Sequence, residues 1–274
     1  MNVRQFLKKY SWFYVLMAAI MIGSASWFSQ AVTVSNRQAL LRSRTTVVID
    51  AGHGGMDGGA TSCTGVLESR INLEVSLRVN DLLQLMGYHT AMIRTDDSSV
   101  DTEGSSIAQR KASDLKNRVR MVHQADHPLL ISIHQNQFSD RKYDGAQVFY
   151  AQTPSSQTLA QALQSTLVEK LNPGSRRKCK QADGVYLMQH IDCPGILIEC
   201  GFLSNPAEEA RLRSEGYQKQ LACVIVDAVA DFLEAQGRNP SLTVGADFGI
   251  MSVGEKYHGR RAVFRRIAPV FSNF

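Results

Sequence analysis

An apolar run ends in a histidine on a glycine-rich turn at Val47-Val48-Ile49-Asp50-Ala51-Gly52-His53-Gly54-Gly55. Two later apolar runs end in a similar way. One is Leu129-Leu130-Ile131-Ser132-Ile133, followed by His134, and the other is Gly195-Ile196-Leu197-Ile198, followed by Glu199. In an open α/β sheet, functional sites form beyond the carboxyl ends of the strands. The runs therefore predict three strands that deliver two histidines and a glutamate to one edge.

Helical and strand patterns alternate along the chain from Thr46 onward. An apolar stripe predicts a helix from Glu68 to Met86 with Gly87 as its C-terminal cap, and Tyr88–Arg94 then reads as a strand. Thr153-Pro154 and Asn205-Pro206 predict the starts of two later helices, each with a polar cap followed by proline. Alternation of this kind predicts an α/β fold with a mostly parallel sheet and helices on both faces.

The N-terminal segment has the pattern of an export element. Arg4, Lys8 and Lys9 precede an apolar stretch over residues 12–28, and Ser29-Gln30-Ala31 offers a cleavage site. The stretch is at the short end of the roughly 17–25 residues that span a bilayer, so an uncleaved membrane anchor and a removed signal peptide both remain open. The basic residues before it predict an inside N-terminus, with the rest of the chain facing outward.

The remaining chain divides into a segment long enough for a catalytic domain, residues 46–235, and a basic tail over residues 236–274. The tail has weak periodicity and five arginines, and the readings left open for it are extra strands, a membrane-surface contact or disorder. A formal net charge of +5 permits a nucleic-acid partner, but no reader motif or aromatic-interleaved basic stripe accompanies it, so none is expected.

Five cysteines lack paired C-x-x-C spacing, which argues against a cysteine zinc knuckle. Their odd number leaves at least one free thiol in an exported protein, and the connectivity of any disulfides stays open. We expect Cys200 to be a small buried residue.

The histidines and a nearby glutamate have the composition of a hydrolytic zinc site. Such sites commonly use three protein ligands, for instance two histidines and one glutamate. His53 and His134 are the natural pair, and Glu68 opens the helix after the first strand, where a loop can fold back over the strand end. Glu74 and Glu103 are rival ligands, farther from any strand end. The glycines around His53 would give the backbone the freedom to surround one ion.

Glu199 is left for a different role. An ionised carboxylate at the end of a buried strand is costly without a partner, so its position asks for a reason. Beside a metal-activated water, it can accept a proton and later donate it to a leaving amine. Asp50 is either a partner that orients a ligand imidazole or a strand terminator. The chain has neither G-x-S-x-G nor H-E-x-x-H, which argues against a serine hydrolase and a zincin.

Four motifs resemble those of the zinc-dependent N-acetylmuramoyl-L-alanine amidases, which cut bacterial peptidoglycan. The similarity covers residues 46–233, and the motifs are Asp50-Ala51-Gly52-His53-Gly54-Gly55, Glu68-Ser69-Arg70-Ile71-Asn72, Ser132-Ile133-His134-Gln135-Asn136 and Glu199-Cys200-Gly201-Phe202-Leu203-Ser204-Asn205. The resemblance implies one zinc ion held at His53, Glu68 and His134, and Glu199 as the catalytic carboxylate. It also implies a three-layer α/β sandwich around a mixed, largely parallel sheet, preceded here by one hydrophobic N-terminal helix.

The short N-terminal segment, followed directly by this domain, is similar to the spore-cortex, germination-type (CwlD-like) subgroup. That resemblance implies action on stem peptides during cortex maturation, outside the membrane, with an activating protein as a partner in some members. Two other readings remain: a non-catalytic peptidoglycan-binding protein, and a zinc carboxypeptidase acting on stem peptides. The second would need an arginine clamp for a terminal carboxylate, for which Arg94 and Arg118 are candidates.

Overall fold

The computed structural model describes residues 45–238, together with residues 12–29 apart from 14, 18, 25 and 28. The chain divides into two units, Met1–Leu41 and Arg42–Phe274. The described residues of the first unit are helical and largely exposed. Within the described ranges, no helix combines the length and the apolar character that a bilayer crossing requires, so the predicted span is not confirmed. The predicted tail over residues 236–274 lies almost wholly outside the described residues.

Six strands and six helices make up the described part of the second unit, in the alternating order that the sequence predicts. The strands are β1 (Thr46–Ala51), β2 (His89–Met92), β3 (Pro128–Asn136), β4 (Gln147–Tyr150), β5 (Lys180–Gln181) and β6 (Gly195–Phe202). The helices are α1 (Glu68–Leu85), α2 (Ile107–Gln124), α3 (Ser156–Lys170), α4 (Tyr186–His190), α5 (Pro206–Leu212) and α6 (Glu215–Arg238).

The strands form one sheet in the order β2-β1-β3-β6-β4-β5. β1 pairs in parallel with β2 and β3, and β3 pairs in parallel with β6. β4 is antiparallel to β6, and β5 is parallel to β4. The prediction of a mixed, mostly parallel sheet is therefore confirmed. Because β4 is reversed, its first residues lie at the edge where β1, β3 and β6 end.

Apolar side chains cover both faces of the sheet, as expected for parallel strands buried between helices. In β1, Val47 and Ile49 belong to the larger core cluster, beneath α1, α3 and α6, while Val48 points into the smaller cluster with α2 and α4. The structure is thus the predicted three-layer sandwich. All five residues from Val47 to Ala51 are buried, which fixes the strand that leads directly into the glycine-rich turn.

The predicted start of the helix after β4 is wrong. Its first residue is Ser156, and Ser155 precedes it in a left-handed conformation with φ of 67°. The Thr153 hydroxyl does not cap the helix; it lies 2.6 Å from the Ser156 hydroxyl and donates to the Cys193 carbonyl at 2.7 Å. Because the Thr153 hydroxyl makes this tertiary hydrogen bond, it is not available to cap the helix. The prediction at Asn205 is confirmed, since its side chain accepts from the amides of Ala207 and Glu208.

Candidate metal centre

Three side chains from separate elements meet at the carboxyl edge of the sheet. His53 follows β1, Glu68 is the first residue of α1, and His134 lies near the end of β3. His53 Nε2 is 3.3 Å from Glu68 Oε2, and His134 Nδ1 is 3.0 Å from Glu68 Oε1. One donor atom from each of the three lies within 4.8 Å of the others, which is close enough for them to hold one metal ion. The spatial arrangement expected from the sequence is present.

The backbone around His53 is shaped to permit this approach. His53 has φ of 62°, a left-handed conformation that is uncommon for a residue with a side chain. At Gly52, a Cβ atom would overlap the His134 imidazole. At Gly59, which has φ of 68°, a Cβ atom would lie 2.6 Å from Glu68 Oε2. Glycine is therefore needed at both positions, because the His134 ring lies against Gly52 and the Glu68 carboxylate lies against Gly59.

Hydrogen bonds from three residues hold the Glu68 carboxylate in place. Its Oε2 accepts from the Ala60 amide at 2.9 Å, and its Oε1 accepts from the Gln135 amide and the Asn72 side chain, each at 3.1 Å. Burial alone would raise its pKa, but its contacts with His134 and His53 outweigh burial and hold the pKa far below its ordinary value. An ionised, immobilised carboxylate between two imidazoles is suited to a divalent cation.

Asp57 orients the His53 ring, and the sequence analysis missed this residue. His53 Nδ1 is 3.0 Å from Asp57 Oδ2, which leaves Nε2 directed toward Glu68. Lys111 of α2 also contacts Asp57, at 3.0 Å. Burial opposes the proton on His53, yet Glu68 and Asp57 raise its pKa above the ordinary value. The placement depends on the tight turn that pairs Gly54 with Asp57, whose geometry the spacing does not reveal.

Asp50 takes neither of the two roles considered for it. Its carboxylate pairs with Arg118 Nη1 at 2.5 Å and accepts from the Ser132 hydroxyl at 2.6 Å. Arg118 also donates to the carbonyls of Ala51 and His53, at 3.1 and 2.7 Å. Asp50 therefore anchors the arginine that fixes the backbone leading into the turn.

Neither candidate for a carboxylate clamp is available to a ligand. Arg94 is 3% exposed and donates to the carbonyls of Ala51, Gly52, Ser69 and Asp96. Arg118 is equally buried and is committed to Asp50, Asp114 and the backbone. The geometry therefore gives the carboxypeptidase reading no support from these two arginines.

Glu199 lies beside His134, its register partner on the neighbouring strand. Its Oε2 atom is buried and has no hydrogen-bond partner within the part of the chain that the structure describes. Burial raises the pKa of Glu199 to about 7, with the Glu68 charge adding to the shift and the two histidines opposing it. A carboxyl group that titrates near neutral pH and has an unused oxygen is a suitable general base.

The rival carboxylates lie elsewhere. Glu74 pairs with Arg70 and accepts from Gln218 of α6. Glu103 is exposed in the loop between β2 and α2. Neither joins the His-Glu-His cluster, which therefore has the composition expected from the sequence.

All five cysteines are unpaired thiols in this structure. Cys200, next to Glu199, is fully buried, as predicted, and burial raises its pKa above the ordinary value. It is a neutral core residue and not a nucleophile.

Comparison with known proteins points to one family. The family model described as N-acetylmuramoyl-L-alanine amidase matches residues 47–231. A germination-specific N-acetylmuramoyl-L-alanine amidase of Bacillus subtilis is 38% identical over 196 residues, which cover 71% of this chain and 82% of the relative. The CwlD amidase of Clostridioides difficile, solved in complex with the GerS lipoprotein, is 34% identical with a TM-score of 0.66, covering 69% of this chain and 98% of that one.

A second solved structure, an N-acetylmuramoyl-L-alanine amidase of Clostridium difficile 630, is 32% identical with a TM-score of 0.61 and covers 70% of this chain and 98% of that one. The matched region contains β1, β3, β6 and the four side chains that they and α1 bring together. The chain therefore belongs to the N-acetylmuramoyl-L-alanine amidase family.

Proposed function

We propose that this protein is a zinc-dependent amidase that cuts the bond between the lactyl group of N-acetylmuramic acid and the L-alanine of peptidoglycan stem peptides. The observation that carries the proposal is the His53-Glu68-His134 cluster with Glu199 beside it. Two nitrogen donors and one carboxylate form a set that catalytic zinc sites use, with a further coordination position left open. Glu199 then stands next to the metal position without being needed as a ligand.

His53, Glu68 and His134 would hold the metal, and neighbouring groups hold the first two in place. Asp57 fixes one imidazole, and the hydrogen bonds to Glu68 keep its carboxylate ionised and in place. Zinc, when bound, supplies Lewis-acid polarisation of a carbonyl and lowers the pKa of water. Glu199 accepts a proton from the attacking water and returns it to the leaving amine. A general base of this kind contributes about 10²–10⁴-fold to the rate.

Cortex maturation is the process in which we place this reaction. The proposal is supported by the 38% identity to a germination-specific relative and by the resemblance of the motifs. In this setting, removal of stem peptides prepares muramic acid for conversion to muramic δ-lactam. Residues 1–45 would export or anchor the domain so that it acts outside the membrane, with the N-terminus inside if the segment is retained. The solved complex of a relative with a lipoprotein suggests that an activating protein is a partner here as well.

Mass analysis of muropeptides tests the reaction. Incubation of peptidoglycan with the zinc-loaded protein should release intact stem peptides with a free L-alanine amino group. Shortened peptides still attached to the sugar would instead identify a carboxypeptidase, and binding without cleavage, also after addition of the proposed activating protein, would identify a non-catalytic wall protein. Either result would overturn the proposal.

Glu199→Gln should keep its zinc and lose turnover by at least about 10²-fold, because the amide cannot accept a proton from water. Zinc content is measured by elemental analysis and turnover by release of stem peptide. Turnover close to that of the unsubstituted protein would exclude Glu199 as the base.

His134→Ala should lower both zinc content and activity, because one of three protein ligands is lost. Circular dichroism of the variant serves as the control for folding. Full zinc occupancy in a folded His134→Ala protein would count against ligation by this residue.

A further inference from the structure

A basic wall borders the same sheet edge as the metal cluster, and the proposed chemistry does not use it. We define it by Arg176, Arg177, Lys178 and Lys180, which lie within five residues that contain no acid. These four residues line an open cleft of about 600 Å³, together with Tyr143, Asp144, Gln147 and Ser175. The lining thus carries four cations against one acid, which makes the cleft suited to an anionic ligand.

The sheet topology puts this wall beside Glu199. Gln147, the first residue of β4, is the register partner of Glu199 on β6. Directly opposed residues of an antiparallel pair share one face of the sheet. Because β5 runs parallel to β4, the segment that enters β5 reaches the same edge. The cleft therefore begins at the residue opposite the catalytic carboxylate.

Specific contacts fix the wall to that strand pair. Arg177 donates to Gln147 Oε1 at 3.2 Å and to the Asp144 carbonyl at 2.8 Å, and its guanidinium lies 4.8 Å from the centre of the Phe202 ring. The Gln147 amide donates in turn to the Lys178 carbonyl. Arg177 is thus a structural member of the wall. Arg176, Lys178 and Lys180 are exposed, and within the described residues no acid pairs with them.

We infer that the wall is a subsite for the carboxylates of the peptide part of the substrate. The inference rests on the proposed function and follows from the direction of the scissile bond. A peptide that is joined to the sugar through its amino end has its own carboxyl groups farther along the chain. Those groups must leave the metal centre along the rim, where the wall offers cations that have no other partner.

Two substrates separate this role from catalysis: an N-acetylmuramoyl peptide with a free terminal carboxylate, and the same compound as a carboxamide. The full-length Arg176→Gln/Lys178→Gln protein should have a KM for the free acid that is raised about 3- to 10-fold, with kcat unchanged, because exposed charge pairs are individually weak. The carboxamide should be cleaved equally well by both proteins. The difference between the substrates should vanish near 1 M salt, where the Debye length is about 3 Å.

Lys116→Gln/Arg120→Gln is the matched control, since it removes one lysine and one arginine from the exposed surface of α2, and neither residue lines the cleft. It should leave both substrates unaffected. The inference would be overturned if the control raised the KM for the free acid by the same factor. It would also be overturned if Arg176→Gln/Lys178→Gln raised the KM for the carboxamide by the same factor. A variant that loses only its binding to anionic lipid vesicles would overturn it as well, because the wall would then be a membrane contact.

A binding measurement tests the subsite independently of the proposed reaction. In the Glu199→Gln background, calorimetric titration should show that the free acid binds more tightly than the carboxamide, and that Arg176→Gln/Lys178→Gln removes the difference. Equal affinities would overturn the subsite even if the amidase reaction is confirmed. Failure of the unsubstituted protein to cleave either compound, with the difference in affinity intact, would instead overturn the proposed function alone.

Discussion

At the scale of single residues, Asp57 determines which nitrogen of His53 faces the cluster. Its carboxylate lies 3.0 Å from Nδ1, which leaves Nε2 directed toward Glu68. Partners of this kind fix both the tautomer and the ring orientation of a metal-binding histidine. Lys111 Nζ lies 3.0 Å from the same carboxylate oxygen, Asp57 Oδ2.

We expect Asp57→Ala to weaken zinc binding about 10- to 100-fold while the fold is retained. The imidazole would lose the acceptor that orients it, although all three ligands remain. Competition with a chromogenic chelator measures the affinity. Asp57→Asn keeps an acceptor oxygen and should lose less; unchanged affinity in both variants would remove Asp57 from the site.

Sequence pattern marks each of the four residues proposed for the site, and the structure brings them together. His53, His134 and Glu199 follow apolar runs of the sequence, and Glu68 opens a helix with clear periodicity. Asp57 and Arg118 could not be predicted in the same way. One depends on a left-handed backbone at His53, and the other reaches Asp50 from a helix 68 residues farther along the chain.

At the scale of elements, the buried pair of Asp50 and Arg118 joins the end of β1 to α2. Burial alone would raise the pKa of Asp50, but Arg118, His134 and Ser132 outweigh it and leave the pKa below its ordinary value. A carboxyl group whose pKa is lowered by folding stabilises the native state above its unfolded pKa of about 3.9. That stabilisation is lost as the pH falls through the lower, folded value.

Asp50→Asn should therefore reduce the free energy of unfolding by about 3 kcal/mol at neutral pH, because it leaves a buried guanidinium without one of its partners. Urea unfolding at a series of pH values measures the effect. The difference from the unsubstituted protein should shrink only below about pH 4. Asp140→Asn, at a half-exposed carboxylate paired with Lys142, should change the stability by less than about 1 kcal/mol. A constant difference down to pH 2 would contradict this account.

Most elements were predictable from periodicity, but their ends and directions were less so. The helix expected after Thr153-Pro154 begins at Ser156 because the Thr153 hydroxyl is used by the Cys193 carbonyl, a contact 40 residues away in sequence. The reversed direction of β4 has no signature in its four residues. Pairing with β6 decides it, and only the three-dimensional structure shows that pairing.

At the scale of the whole molecule, the buried core of the described residues lies between Val47 and Leu233. We therefore expect residues 45–238 to fold alone and to bind zinc, consistent with a catalytic domain over residues 46–235. Thermal unfolding and zinc analysis of this fragment, beside the full chain, measure the result. A fragment that fails to fold would show that residues 1–44 or the tail contribute to the domain.

The reversal of β4 divides the rim of the sheet into two parts with different tolerances. The side chains proposed to bind the metal, and Glu199 beside them, lie on β3, β6, the turn after β1 and the first turn of α1, where a small shift would change the distances within the cluster. The basic wall, on the other side of Glu199, lies mostly in the segments that lead into β4 and β5. We expect insertions or substitutions there to change which peptidoglycan fragments bind without changing the geometry of the His53-Glu68-His134 cluster.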